Sequence, residues 1–123
     1  MKILALILGG SLGTIARYYL GGWVYSATGP RFPYGTLVVN TLGCLIVGTL
    51  YALSEKKFLL GPGARLFWMV GFCGAFTTFS TFALETMTLA TDGQFFLALG
   101  NVVLSLVLGL VFFRLGYTLG LLI

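Results

Sequence analysis

Four long apolar stretches, each carrying few charges and separated by short turns rich in glycine and proline, organise the chain. The first runs from Ile3 to about Tyr25 and holds one charge, Arg17. After the turn Thr28-Gly29-Pro30, the second follows Pro33 and reaches about Ser54. The third begins after Gly61-Pro62-Gly63 and Arg65 and ends near Asp92-Gly93, and the fourth occupies roughly Phe95 to Leu122. A helical crossing of hydrocarbon needs ~20 mostly apolar residues, so each stretch predicts one membrane-spanning helix. Pro33 is expected in the first turn of its helix, where its missing N–H would be unbonded anyway. The short loops predict that consecutive helices run antiparallel, with both termini on one side.

The third stretch breaks the pattern of the others. No charge lies between Arg65 and Glu85, yet residues 71–82 read Gly-Phe-Cys-Gly-Ala-Phe-Thr-Thr-Phe-Ser-Thr-Phe where a lipid-facing helix would run on Leu and Val. Glycines loosen helical backbone, and irregular backbone at membrane depth persists only where protein buries it or where it lines a water-filled cavity. A pathway or an ion site is therefore expected here.

Composition agrees with four spans and little else: 123 residues, 59% hydrophobic and 8% charged, with a mean hydropathy of +1.04. Residues 1–123 form one all-α integral membrane domain in this reading. Lys2 before an apolar run has the look of a signal peptide, but three further spans and the Gly9-x-x-x-Gly13 pair favour a retained first span. The net charge of +4 does not indicate a nucleic-acid partner, because the bases are scattered among membrane flanks. Lys2, Lys56, Lys57, Arg65 and Arg114 fall on the side of the termini, against Arg31 and Arg17. The positive-inside rule then predicts cytoplasmic termini in a multi-pass protein of the cell membrane. Cys44 and Cys73 sit in apolar spans as small hydrophobes. With no histidine, and Glu55, Glu85 and Asp92 as the acids, the chain offers no Ser-His-Asp triad, no carboxylate pair and no transition-metal site. An enzyme is not expected.

What remains is neutral polar chemistry at membrane depth. Thr36 and Asn40 are four apart on the second helix, as are Asn101 and Ser105 on the fourth. Helical spacing in the third would put Thr77, Ser80 and Thr81 on one face, with Thr78, Phe82 and Glu85 on another. A small, strongly hydrated anion needs donors to replace its water shell, without a buried countercharge that would hold it too tightly to leave. Aromatic ring edges, which carry partial positive charge, are a second source, and Phe79 and Phe82 could supply two.

Each residue also has a plainer reading. Phe72, Phe76 and Phe79 repeat at packing intervals, and Asn40 could be interhelical glue worth ~0.6–2 kcal/mol. Glu85, if charged, costs ~2.5–3.5 kcal/mol at depth. Arg17 could snorkel to headgroups, and Ser80 and Ser105 could bond their own backbone. Gly9 with Gly13, and Gly116 with Gly120, read as close helix contacts. Two other classes compete: a proton-coupled exporter of cationic drugs with Glu85 as proton carrier, although such exporters carry their essential acid in helix 1, and a structural membrane subunit.

Three blocks carry a resemblance: Gly9-Gly10-Ser11-Leu12-Gly13 with Ala16-Arg17-Tyr18; Pro33-Tyr34-Gly35-Thr36-Leu37-Val38-Val39-Asn40-Thr41-Leu42-Gly43; and Gly71 through Phe82. In order and spacing the chain closely resembles the Fluc (CrcB) fluoride channels. The resemblance implies a passive fluoride-selective channel that exports the ion and protects the cell, built as an antiparallel, dual-topology homodimer with helix 3 broken near its middle. It also implies that Asn40 lines a fluoride pore, with Phe79 and Phe82 as its aromatic box. Thr36, Thr81, Glu85 and Ser105 would match a polar track, and Arg17 a vestibule. Backbone carbonyls of Gly74 and Thr77 would hold a structural Na⁺ at the dimer centre. Position 75 is Ala where the family often has a second glycine.

Overall fold

The computed structural model describes residues 1–123. Its helices are α1 (Lys2–Thr28), α2 (Tyr34–Tyr51), α3 (Pro62–Arg65), α4 (Gly74–Phe76), α5 (Phe79–Thr91) and α6 (Phe95–Leu122). Wider, π-type turns continue α2 through Ala52–Lys56 and join α3 to α4 through Leu66–Cys73. Four spans long and apolar enough to cross a membrane result: Lys2–Thr28, Tyr34–Lys56, Pro62–Thr91 and Phe95–Leu122. The protein is thus an all-helical, multi-pass membrane protein.

The ends of these spans have local causes. α1 runs three residues past Tyr25 because Ser26 and Thr28 donate back to the carbonyls of Gly22 and Val24, which keeps both hydroxyls satisfied inside the helix. Gly29 then ends it at a φ of 78°, a left-handed conformation that glycine adopts without steric cost. Pro33 corrects one expectation, since it stands just before α2 as its N-cap, and its carbonyl accepts from the Leu37 N–H at 3.1 Å. Pro62 is the proline that occupies a first helical turn, at the start of α3. An ion pair between Glu55 and Arg65 ties the end of the second span to the start of the third.

Sequence neighbours are antiparallel, but the closest main-chain approaches lie between alternate spans, which run parallel. A methyl group at Gly13 would fall on the Phe72 carbonyl, and one at Gly9 on the Phe67 carbonyl, so the first and third spans touch main chain to main chain. Gly71, inside the wider turns of Leu66–Cys73, also completes this seam: its missing side chain would lie 3.2 Å from the Gly9 Cα. The second and fourth spans repeat the device, with Gly48 against Phe113, Gly116 against Leu45 and Gly120 against Thr49. Without a hydrophobic driving force between helices in lipid, such close packing is the main source of association. Large apolar residues point outward around these seams, among them Leu12, Ile15, Val103, Leu110 and Leu119.

Candidate functional site

Between α4 and α5 the third span leaves helical geometry for two residues. Thr77 (φ −82°, ψ 159°) and Thr78 (φ −149°, ψ 116°) are extended. All the polar groups of Thr78, and the N–H and hydroxyl of Thr77, are bonded to neighbours. Asn40 on α2 donates from Nδ2 to the Thr78 carbonyl at 2.9 Å, and its Oδ1 accepts from the Thr78 N–H at 2.8 Å. One carboxamide thus pairs with both backbone groups of one residue, replacing the bonds that a continuous helix would have supplied.

The Thr78 side chain caps α5. Its Oγ1 accepts from the Thr81 N–H at 3.2 Å and bonds the Thr81 Oγ1 at 2.9 Å, the usual service of a threonine N-cap. Ser80 Oγ lies 3.5 Å from the same hydroxyl. Thr77 does not join this group, because its Oγ1 donates back to the Cys73 carbonyl at 2.9 Å. The extended backbone separates it from Ser80 and Thr81, so the single face expected from unbroken helical spacing does not form.

Two clefts flank Thr78, which borders both. One, of about 380 Å³, brings together Arg17, Thr36, Thr81 and the Thr78 edge against Gly21 and Gly35. The other, of about 420 Å³, gathers Asn40, Phe79, Phe82, Ser105, Gly74 and Thr77. Nine of the ten sequence-derived site residues therefore line one cleft or the other. Glu85 borders neither, but its Oε1 accepts from Thr36 Oγ1 at 2.8 Å, while its Oε2 is buried without a partner. The Phe79 and Phe82 rings are tilted at 45° with centroids 5.6 Å apart, and Phe79 is 80% exposed in the single chain.

The interruption also sets electrostatics. A helix C-terminus presents unbonded carbonyls and partial negative charge, and an N-terminus presents N–H groups and partial positive charge. Here the end of α4 and the start of α5 are adjacent at membrane depth. Anion-favouring and cation-favouring surfaces thus arise from backbone alone.

The sequence placed Thr78 and Asn101 among the polar groups at membrane depth without assigning either to the site, and it gave no sign of Thr86. Thr78 carried a readable signal, a threonine three residues before Thr81 at the start of a helix. Asn101 donates from Nδ2 to Thr86 Oγ1 at 2.9 Å, a tertiary pairing that spacing along either helix does not reveal.

Known proteins supply an independent measure. The family model described as CrcB-like protein, Camphor Resistance (CrcB), matches residues 4–117. A protein named fluoride-specific ion channel FluC from Geotalea daltonii is 45% identical, covering 87% of this chain and 86% of its own length. The FluC of Acidobacterium capsulatum is 44% identical over 98% of this chain and 96% of its own. That of Rhodospirillum rubrum is 43% identical over 95% and 92%. The family match spans the clefts, the clamp at Thr78 and the glycine seams except Gly120, and on it the chain belongs to the CrcB-like family.

Proposed function

We propose that this protein is a passive fluoride channel of the cell membrane that lets the ion leave and so limits its toxicity. The observation that carries the reading is the polar interruption of the third span, set in a chain more than 40% identical to proteins named fluoride-specific ion channels. Those names describe transport and give no support to a drug exporter or a purely structural subunit.

The chemistry around Thr78 suits a small, hard anion. Asn40 spends one amide N–H on the Thr78 carbonyl and has a second left to donate. Hydroxyls of Thr81 and Ser105 and the ring edges of Phe79 and Phe82 continue a neutral donor path, with the positive end of α5 beside it, while Thr36 extends the track by holding Glu85. Arg17 in the first cleft raises the potential at an entrance without entering the path. Neutral donors replace the water shell yet let the ion go.

The same reading includes an antiparallel, dual-topology homodimer in which two third spans meet. The exposed Phe79 and the open side of Gly74 support it, since nothing within the chain stands within 4 Å of where a Gly74 side chain would be. A Na⁺ held between copies fits the residues present. The Thr78 N–H, which would close a helical turn on the Gly74 carbonyl, is committed to Asn40, and Thr77 is extended. That leaves neutral carbonyl oxygens and no acidic cage, a donor set suited to a hard monovalent cation. When bound, the ion would supply positive charge to the dimer centre and order the backbone of Gly74 and Thr77.

The test is efflux from liposomes loaded with fluoride or chloride, using purified protein. Rapid fluoride efflux with little chloride efflux is expected. Equal rates for both ions would overturn the proposal.

A further inference from the structure

α5 carries Phe82 and Glu85, and its inward-facing residues, these two included, are half-buried in the single chain. Half-buried apolar contacts leave room for small shifts in its rotation and height, which directional polar contacts then restrict. Thr78 anchors its first turn to α2 through Asn40, and Glu85 meets Thr36 on the same helix. Both of those anchors involve residues already placed in the proposed path.

The third anchor does not. Asn101 on α6 is 2% exposed, one of the two largest fully buried side chains in the protein. Its Nδ2 donates to Thr86 Oγ1 at 2.9 Å, and Thr86 Oγ1 donates in turn to the Phe82 carbonyl at 2.7 Å. A buried amide in an apolar setting is costly unless it is bonded, so this chain of bonds strongly favours one register between α5 and α6. It ends on the main chain of the very turn that presents the Phe82 ring. We propose that Asn101, acting through Thr86, is a positioning residue that sets where Phe82 stands in the ion path. The inference rests on the channel reading for its transport consequence, but the bond chain has a consequence independent of transport.

The experiment compares wild type with Asn101→Leu, Thr86→Val, Thr86→Ser and the Asn101→Leu/Thr86→Val double variant. Each is reconstituted for fluoride efflux, and amide hydrogen exchange across residues 82–86 is followed in detergent. Asn101→Leu and Thr86→Val are each expected to slow efflux and to speed exchange by about fivefold to tenfold, the factor carried by one buried hydrogen bond. Thr86→Ser, which keeps the hydroxyl, should restore both readouts. The double variant should be no worse than either single change, because both cut one path. If Asn101→Leu fails to fold, Thr86→Val and its serine rescue decide the matter. Wild-type efflux and exchange in Thr86→Val would overturn the proposal, as would losses that multiply in the double variant. Failure of wild type itself to pass fluoride would sink the channel reading alone, leaving the exchange result to judge the anchor.

Discussion

Where α6 crosses α2, Gly48 and Gly116 bring two main chains together until no side chain fits between them. Where the third span turns at Thr77 and Thr78, the reverse holds: side chains reach across to main chain, and clefts of about 380 and 420 Å³ open on either side. The glycine seams gain from the absence of side chains, through dispersion and close backbone contact. The Thr78 region depends on their presence, because extended backbone in a membrane needs partners for its N–H and C=O. Rigidity and ion chemistry are thus given to different spans of one small bundle, and substitutions should separate them.

The largest effect is expected at Asn40. Asn40→Asp keeps an acceptor for the Thr78 N–H but removes the donor to its carbonyl and introduces a carboxylate. A charge at this depth is worth ~2.5–3.5 kcal/mol, so fluoride efflux should fall by a factor on the order of a hundred. Gel filtration should still return folded protein, since the seams are untouched; an active Asp variant would detach Asn40 from the path.

Next comes Gly116→Ala, whose methyl would strike the Leu45 carbonyl. Both sides of that contact are backbone and cannot yield cheaply, so a stability loss of ~1–3 kcal/mol or more is expected. Thermal unfolding in detergent reads it directly. A variant as stable as wild type would show that the seam has slack.

Phe79→Ile and Phe82→Ile test the other region. Ring-edge contacts contribute ~0.5–1.5 kcal/mol, so each change should slow fluoride efflux by up to about tenfold while leaving the melting temperature close to wild type. Near-normal flux in both variants would return the rings to packing and leave the amide and hydroxyls to carry the ion.

The smallest effect sharpens the contrast within a single helix. Gly22→Ala places a methyl where nothing stands within 4 Å, whereas Gly13→Ala on the same α1 meets the Phe72 carbonyl. The first should stay within about 0.5 kcal/mol of wild type, and the second should behave like Gly116→Ala. Equal losses from both would show that the seam does not decide glycine use in α1, because helix propensity by itself makes each alanine a gain.

The spans could be read from the sequence because ~20 apolar residues in a row admit few other interpretations. The fourth, Phe95–Leu122, needed no adjustment at all. Which span packs on which was not legible, since a glycine shows that something comes close without naming its partner. Gly71 illustrates the problem: its stretch suggested loosened backbone, which the wider turns of Leu66–Cys73 provide, but its contact with Gly9 is decided 62 residues away. The polar residues of the site stood out because hydroxyls and amides are expensive in hydrocarbon. Their bonding did not, as Asn40 and Thr78 are 38 residues apart and meet only once α2 and the third span are in place.

The parallel pairing of alternate spans bears on how the protein is made. Consecutive spans leave the ribosome in turn, so a nascent first span cannot close its glycine seam until the third has been inserted. The second span waits longer still, because Gly116 and Gly120 lie near the end of the fourth. During that interval the grooves at Gly13 and Gly48 face lipid or the insertion machinery, open to the wrong helix. Order of synthesis therefore works against order of packing, and the four-helix bundle becomes self-consistent only when the fourth span arrives.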